Sequence, residues 1–382
     1  MGRGKVVSLC KLKTLASVSK SCFFMLTATE KGALKITKAS ESRIKQLDPA
    51  NIQFGKLYSD HMLIAHYENG AWGQPEIMPF QNLSLSPATT FIHYGQAIFE
   101  GVKAYKDPQG NPLIFRPRDN WKRMNLSAER MAMPQIPEEM FMEGMRELIS
   151  LDRDWVPAGE GASLYIRPFM FAVDEFIGVR PAEKFIFMII TSPAGPYYAK
   201  PVNIYVQDKY VRAFPGGTGY IKSAGNYGMT MYPVQQTREK GYDQILWTDG
   251  FEHKYVQEIG TMNVFFVIDG KVITPDLEQG TILAGVTRDS IITLLKEKGI
   301  TVEERPLSLE EIETAHKNGQ LKEAFGAGTA ASIAPIASLN IHGNNIELPP
   351  VENWEVGNWL KKELSDIRYG RKDDTHGWIE RV

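Results

Sequence analysis

One lysine of the sequence has neighbours that suit covalent chemistry. Lys222 is surrounded by small and aromatic residues: Gly217, Gly219, Tyr220, Ala224, Gly225 and Tyr227. Most lysines are solvated surface charges, and that is the ordinary interpretation of any single one. Small neighbours, however, let a planar group approach closely, and a desolvated amine is more easily neutral and therefore nucleophilic. The pattern indicates a nucleophilic lysine at position 222.

A carboxylate and two anion-binding segments follow Lys222 in the chain. Glu258 lies in a largely apolar run, so it is either a glutamate at the surface end of a strand or a buried carboxylate. A buried carboxylate needs a cationic partner, and a protonated ring nitrogen is one candidate. Segment 283–288 opens a predicted helix whose first N–H groups can hold a phosphate, and 326–330 is a second backbone-rich anion site. Together these parts are what a pyridoxal 5′-phosphate (PLP) enzyme needs.

Other ligand motifs fail on their context. A Walker A lysine directly follows a glycine, but Ile221 precedes Lys222. Residues 326–331 match G-x-G-x-x-A, yet we expect the preceding 321–325 to be too charged and too short for the buried parallel strand of a dinucleotide site. The seven histidines are scattered and no Cys pair or His-Glu-x-x-His is present, so the sequence predicts no metal site. His93 and His253 are interpreted as structural.

Alternating strand-like and helix-like segments must position these residues. Hydrophobic patterns predict strands at 58–67, 164–173, 185–191 and 202–206 and helices at 115–131, 137–151 and 287–298. Two Asp-Gly pairs, 249–250 and 269–270, predict hairpins, and Ser308 to Glu311 matches a capping box. We predict an α/β (α+β) chain of two domains. A tail covers 1–30, a small N-terminal α/β domain 31–191, an interdomain loop 192–202 and a larger C-terminal PLP-binding domain 203–382.

Composition excludes several classes of protein. The chain has 382 residues, 43% of them apolar and 23% charged, which is typical of a globular protein with a sizeable core. A formal net charge of −2 disfavours a non-specific nucleic-acid binder. The two cysteines, Cys10 and Cys22, cannot form a disulfide framework or a cysteine zinc site. No run approaches the ~18 apolar residues of a membrane span. We therefore expect a cytoplasmic protein with neither a nucleic-acid nor a membrane partner.

The first residues of the chain allow two interpretations. Residues 1–29 carry five basic residues and no acidic one, which superficially resembles a mitochondrial presequence. The favoured alternative is an extended start or a disordered tail, with Met25 as the functional first residue.

From about residue 36 onward the chain closely resembles the branched-chain aminotransferases, which are fold type IV PLP enzymes. The matching segments are 54–62, His93-Tyr-Gly-Gln-Ala-Ile-Phe-Glu-Gly101, Lys122-Arg-Met124, Leu164-Tyr-Ile-Arg-Pro168, 220–228, 258–263, Gly285-Val-Thr-Arg288 and 326–330. Their order and spacing are family-like. The bacterial large-type branch is the most similar.

The resemblance implies a role for each residue that would hold the cofactor. Lys222 would bond to the cofactor aldehyde and then move the proton between the substrate α-carbon and the cofactor. Glu258 would pair with the pyridine nitrogen, and Tyr227 would hydrogen-bond the ring 3-oxygen. The phosphate would be bound by Arg123 and by the backbone of Val286 and Thr287.

The resemblance also implies the residues that would hold the substrate. The backbone at Thr329 and Ala330 would bind the α-carboxylate, supported by Thr261 and Tyr94. Arg167 could bind the distal carboxylate of glutamate. Aromatic residues would form the pocket for the aliphatic side chain: Phe54, Tyr94, Phe99, Tyr165 and Tyr197.

The sequence therefore predicts transfer of the amino group of L-leucine, L-isoleucine or L-valine to 2-oxoglutarate, by a ping-pong reaction in a homodimer. One alternative is another fold type IV enzyme, such as a D-amino acid aminotransferase or an aminodeoxychorismate lyase, which would share Lys222, Glu258 and Arg123. A second is a cofactor-binding or assembly protein without turnover. A third is a dinucleotide-dependent oxidoreductase.

Overall fold

The computed structural model describes residues 34–196, 198 and 200–382. The N-terminal segment, to which the targeting and start-site interpretations apply, and Tyr197 lie outside these residues. Residues Leu34–Val382 form one compact unit. No helix in the described part is long and apolar enough to cross a bilayer.

The first sheet is built mainly from the N-terminal half of the chain. Its strands are β1 (Lys35–Ile36), β2 (His61–Glu68), β3 (Ala71–Trp72), β4 (Glu76–Pro79), β5 (Ala97–Phe99), β6 (Val102–Lys106), β7 (Pro112–Phe115), β8 (Ser163–Ala172) and β9 (Phe185–Ala194). The main order is β1-β4-β2-β9-β8-β6-β7, with β3 beside β2 and β5 beside β8. All these pairs are antiparallel except β1–β4. Short β5 thus lies at the side of the long hairpin β8–β9.

Helices α1 (Thr90–Tyr94), α2 (Pro117–Arg130) and α3 (Glu138–Leu151) accompany this sheet. The predicted apolar face of α3 is confirmed, because Phe141, Met145 and Leu148 are fully buried. A Cβ atom at Gly144 would lie 2.3 Å from a methyl group of Leu63. Glycine at this position therefore allows α3 to pack closely on β2.

The second sheet follows residue 201. Its strands are β10 (Val202–Val206), β11 (Gln244–Thr248), β12 (Val256–Ile259), β13 (Met262–Ile268), β14 (Lys271–Thr274), β15 (Val302–Glu304), β16 (Leu321–Gly328), β17 (Ser332–Ile341) and β18 (Asn344–Glu347). The order is β12-β11-β10-β17-β16-β13-β14-β15, and β12 also pairs with β13. That additional pairing closes six strands into a ring, which encloses much of the larger apolar core.

The remaining helices are α4 (Gly225–Gly228), α5 (Met231–Glu239), α6 (Val286–Glu297), α7 (Leu309–Lys317) and α8 (Val356–Arg368). The last strand, β19 (Ile379–Arg381), returns to the first sheet and pairs with β7. Short 3₁₀ turns occur at Ile44–Gln46, Arg153–Trp155 and Val351–Asn353. The chain thus changes sheet between β9 and β10 and again before β19.

Local signals in the sequence mostly gave the expected structures. Asp269 and Gly270, both with positive φ (50° and 74°), form the two-residue turn between β13 and β14. The Asp249 hairpin has a longer loop, because the Asp249 carboxylate accepts four backbone N–H bonds from residues 251–255. Ser308 caps α7 by accepting from the N–H of Glu311 at 3.1 Å.

The prediction that segment 321–325 is too charged and too short to form a buried strand is wrong. The charged segment 321–325 does form a largely buried strand, β16. Its Glu323 tolerates burial because the carboxylate accepts three N–H bonds from residues 355–357 at the start of α8. Strand β16 pairs antiparallel with β13 and β17, so residues 326–331 form a hairpin and not the strand-to-helix turn of a dinucleotide site.

Candidate active site

The best-formed cavity among the described residues has a volume of about 570 Å³ and is lined from both sheets. The predicted residues that line it are Phe54, Phe99, Arg123, Tyr165, Arg167, Lys222, Tyr227, Thr261, Val286, Thr287, Thr329 and Ala330. Glu258 is buried and does not line the cavity, but its carboxylate accepts from the N–H of Leu283, which does. Residues spread over almost 280 positions of the sequence thus converge on one cavity of the size that small-molecule sites have.

Backbone contacts with the first sheet hold Lys222 in place. Its N–H donates to Ser127 Oγ of α2 at 3.1 Å, and its carbonyl accepts from the N–H of Phe99 at 3.1 Å. Its Nζ donates to Tyr227 Oη at 2.7 Å and lies 4.7 Å from the centre of the Phe99 ring. The Lys222 side chain is therefore held at its backbone end and at its amine end, which suits a reacting group.

Glu258 is the buried carboxylate that the sequence left open. It lies on β12 with 2% of its surface exposed. One oxygen lies 2.9 Å from Arg212 Nε, and the other accepts from the N–H of Leu283 at 2.8 Å. Burial raises the pKa of Glu258 above its ordinary value despite the opposing effect of Arg212. Sequence reasoning missed Arg212, although any buried carboxylate should have prompted a search for a cation.

A second buried carboxylate, Glu100, was also missed. It accepts a two-pronged pair from Arg123, with Nε–Oε1 at 2.7 Å and Nη2–Oε2 at 2.8 Å, and a bond from Asn120 at 2.8 Å. Burial acts to raise the pKa of Glu100, but Arg123 outweighs it and the pKa is lowered. Arg123 Nη1 also donates to the carbonyl of Ala284, just before α6, at 2.9 Å. Glu100 therefore orients Arg123 toward the cavity.

The start of α6 provides backbone donors at the cavity. Gly285 precedes the helix in an extended conformation, and Val286 and Thr287 form its first turn. The first N–H groups of a helix have no partner within it, so they are available to an anion. A Cβ atom at Gly285 would lie 2.0 Å from Asn263 Oδ1. The glycine therefore allows this turn to pack against β13.

The turn between β16 and β17 lies at another side of the cavity and contains Thr329 and Ala330. Lys103, which sequence reasoning missed, donates from Nζ to the carbonyl of Ala330 at 2.8 Å. Burial, with a contribution from Arg368, lowers the pKa of Lys103 to about 7. The turn is thus fixed from behind by a buried amine, and its N–H groups can face the cavity.

Aromatic rings form the wall nearest the first sheet. Phe54 packs edge-on against Tyr165 with ring centres 4.9 Å apart, and Phe99 packs similarly against Tyr227 at 4.7 Å. Arg167 donates to Tyr165 Oη at 3.0 Å and stacks over Phe99 at 4.7 Å. An aliphatic side chain fits such a wall, and Arg167 supplies one cationic group within it.

Tyr94 does not line the cavity of its own chain. It ends α1 with 44% of its surface exposed, and its hydroxyl donates to the carbonyl of Ile177. The side chains of Ile177 and Val179 beside it are 67% and 87% exposed. Sequence reasoning placed Tyr94 in the substrate pocket because it could not show which way α1 faces.

Comparisons with known proteins agree with this geometry. The family model of class IV aminotransferases matches residues 97–339. Branched-chain-amino-acid transaminase 1 of Bacillus subtilis is 44% identical over 340 residues, covering 88% of this chain and 95% of the relative. Two solved branched-chain aminotransferases also match, one from Escherichia coli and one from Thermobaculum terrenum in its PLP form. Their TM-scores are 0.68 and 0.69 at 27% and 25% identity. Each alignment covers 84% of this chain and 98% of the solved one.

The predicted fold class, the resemblance and the PLP cofactor are thereby confirmed. The identity to the bacterial transaminases extends over most of both chains, and the cavity is lined by Lys222, by the start of α6 and by the turn between β16 and β17. The chain belongs to the class IV aminotransferases, and within them to the PLP-dependent branched-chain group.

Proposed function

We propose that this chain transfers the amino group of L-leucine, L-isoleucine or L-valine to 2-oxoglutarate in a ping-pong reaction. The observation that carries the proposal is Lys222, held by Tyr227 in a cavity with anion-binding backbone on two sides and an aromatic wall. The family relationship favours this function over that of a D-amino acid aminotransferase or an aminodeoxychorismate lyase.

The residues of the cavity fit PLP. Arg123 and the first turn of α6 form a cationic, donor-rich corner for a phosphate. Glu258 lies next to the cavity behind Leu283, and Arg212 does not fully offset its burial, so a further positively charged partner is favourable. When bound, PLP supplies an electron sink that makes the substrate α-proton acidic.

The residues around the cofactor then act as follows. Lys222 Nζ, once neutral, takes the α-proton of the substrate and returns it as a general acid. Tyr227 Oη accepts a hydrogen bond from Nζ and fixes the direction of transfer. Glu258 holds a proton on the ring nitrogen by charge pairing. Arg123 and the N–H groups of α6 keep the phosphate fixed.

A second group of residues orients the substrate. The N–H groups of Thr329 and Ala330 bind the α-carboxylate, and Thr261 lies at the adjoining turn between β12 and β13. The aromatic wall packs against a branched aliphatic side chain and keeps water away from the reacting carbon. Arg167 binds the distal carboxylate of glutamate and 2-oxoglutarate in the second half-reaction.

We also propose a homodimer in which Tyr94 reaches the cavity of the partner. The exposed apolar side chains beside it form a patch: Ile92, Phe176, Ile177 and Val179. Patches of this kind mark interaction sites. In light scattering the chain should have twice its monomer mass, and Ile177→Asp should shift it toward the monomer and lower activity. Ile36→Asp, on exposed β1, is the control that should leave the mass unchanged; a monomeric parent chain would refute the dimer.

We propose the organisation and compartment that the sequence predicts, with domains 31–191 and 203–382 joined by 192–202. Strands β9 and β10 belong to different sheets, which supports a division between them. The ordered strands leave a shorter connection, because β9 extends to Ala194 and β10 begins at Val202, and β19 returns to the first sheet. A cytoplasmic location fits a chain whose residues beyond Cys22 contain no cysteine.

The absorption spectrum of the purified protein tests the function. A visible band from lysine-bound cofactor should disappear on addition of L-leucine and return with 2-oxoglutarate. A band that responds to D-alanine and ignores L-leucine would favour a D-amino acid aminotransferase. A protein that shows no band even after PLP is supplied would refute the proposal.

A further inference from the structure

Arg368 is a buried arginine that lies behind both anion-binding segments. It is the last residue of α8 and is 3% exposed. Its Nη1 donates to Ser332 Oγ, and its Nη2 lies 3.5 Å from Thr287 Oγ1. Its guanidinium stacks over Phe115 at 4.7 Å. One side chain from the C-terminal helix therefore contacts the first turn of α6 and the residue that ends the 329–331 turn.

The charge of Arg368 is not balanced by the protein. Two other buried arginines near α6 have carboxylate partners: Arg116 pairs with Asp119 and Asp289 at 2.7 Å each, and Arg288 pairs with Glu304 at 3.1 Å. Among the described residues Arg368 forms no ion pair, and its Nε, like that of Arg288, has no hydrogen-bond partner. Buried charges are normally paired, because desolvation is otherwise costly.

A buried amine lies beside Arg368. Lys103 lines the same small internal cavity as Arg368, together with Thr287 and Thr329, and its amine contacts the carbonyl of Ala330. Ser332, which receives the Arg368 bond, has a φ of 62°, a conformation that non-glycine residues adopt only when held there. The buried charge of Arg368 thus lies against both the turn and the helix start, and the Lys103 amine contacts the turn.

We propose that Arg368 is a positioning residue that couples the phosphate-binding start of α6 to the carboxylate-binding turn, with bound anions as its counter-charge. The proposal rests on the proposed function only for the identity of the two anions. Arg368 touches neither anion. It fixes the Thr287 and Ser332 side chains, and its positive charge favours an anion at either segment. Because one side chain holds both segments, an anion that orders one segment also orders the other through Arg368 and favours binding there.

Thermal unfolding of the full chain freed of cofactor, with and without inorganic phosphate, tests the counter-charge. Phosphate should raise the Tm of the parent chain. Arg368→Gln should leave the Tm without phosphate unchanged or higher, since it removes an unbalanced buried charge, and should lose most of the phosphate-dependent increase. Arg288→Gln is the matched control, because this arginine is paired; it should lower the Tm equally in both conditions. The same pattern in Arg368→Gln would show a purely structural role and overturn the proposal.

Steady-state kinetics test the coupling. Arg368→Gln should raise the KM for L-leucine and the Kd for PLP by about fivefold each, with kcat within about twofold of the parent value. Arg368→Lys, which keeps the charge, should recover much of both. A fall in kcat alone, or no recovery in the lysine variant, would count against the inference. A chain without transaminase activity that still shows the phosphate effect would refute the function and leave the Arg368 proposal standing.

Discussion

Two glutamate–arginine pairs are buried at the cavity, and they differ in how completely the carboxylate is satisfied. Glu100 receives two bonds from Arg123 and one from Asn120, and its pKa is lowered. Glu258 receives one close contact from Arg212 and one backbone bond, and its pKa is raised. Similar burial thus gives opposite outcomes, because the number of charge-assisted donors differs.

The difference indicates that the Glu100–Arg123 pair positions a side chain, whereas the Glu258–Arg212 pair leaves a carboxylate that can interact with a ligand. A saturated carboxylate such as Glu100 gains nothing further from a ligand, so its role is to hold Arg123 in position. The protein partners of Glu258 do not fully offset the energetic cost of burying its carboxylate charge. A cationic ligand in the cavity therefore offsets more of this cost. Buried charges that the protein compensates only in part are typical of functional sites.

Removing the lysine between the two pairs should have the largest effect. Lys222 Nζ interacts electrostatically with both carboxylates, and among the described residues no other lysine lines the cavity. Lys222→Ala should abolish turnover and leave the fold intact, which activity assays and circular dichroism would check. Lys209→Ala, at an exposed position, should behave like the parent chain. Appreciable transaminase activity in the Lys222 variant would refute the mechanism.

Replacing each of the two glutamates by glutamine tests the difference between the two pairs most directly. Glu100→Gln should lower stability by about 3–5 kcal/mol, because Arg123 is left as an unbalanced buried charge. Glu258→Gln should lower stability by less than Glu100→Gln, because burial of Glu258 outweighs its attraction to Arg212, and should reduce kcat about 100-fold or more, because the anionic partner of the ring is lost. Denaturation and kinetic assays of the two variants measure both effects. Equal stability losses would show that the pairs are equivalent.

The two pKa shifts also predict opposite pH dependences. The lowered pKa of Glu100 means that its contribution to stability is present above the ordinary value of 4.5 and is lost as pH falls through the folded-state pKa. The raised pKa of Glu258 means that its contribution is present below 4.5 and is lost as pH rises through the folded-state pKa. The Tm difference between parent and Glu258→Gln should therefore shift in favour of the variant as pH rises from 4 to 8. A flat difference would contradict the raised pKa.

Arg123→Lys tests the role of the Glu100–Arg123 pair in phosphate binding, and we expect a moderate loss of PLP affinity. A lysine keeps a positive charge beside Glu100 but loses the fork that also reaches Ala284 and the cavity. PLP binding should weaken by about 1.5–3 kcal/mol, the value of one charge-assisted hydrogen bond. Titration of cofactor fluorescence would measure it. Unchanged affinity would mean that the backbone of α6 binds the phosphate without Arg123.

The smallest expected effect concerns the residue next to Glu100. A Cβ atom at Gly101 would lie 2.3 Å from Tyr165 Oη. Gly101→Ala should displace this ring, cost about 1–3 kcal/mol of stability and raise the KM for L-leucine more than it changes kcat. Gly73→Ala, whose Cβ atom would meet only the carbonyl oxygen of His66 at 3.4 Å, is a control for general glycine effects. A KM unchanged by Gly101→Ala would show that Tyr165 does not shape the substrate pocket.

Much of the cavity was predictable because chemistry restricts residue type. A lysine among glycines, a glutamate in an apolar strand and a helix start with small residues are visible as local patterns, and the structure brings these residues to one cavity. The partners that balance them were not visible. Arg212, Glu100, Lys103 and Arg368 carry no local signal, since a charged residue in a sequence is usually exposed. Their burial depends on contacts with elements far away in the chain.

The sequence by itself determined the local elements and the types of reacting group. Periodicity defined α3, and Asp269-Gly270 defined a hairpin, because these signals depend on neighbours along the chain. Only the tertiary structure decided which charges face each other, which way Tyr94 points and how α8 returns to the site. Those outcomes depend on the closure of the ring of strands and on the packing of β5 against Lys222, which involve contacts between residues more than a hundred positions apart.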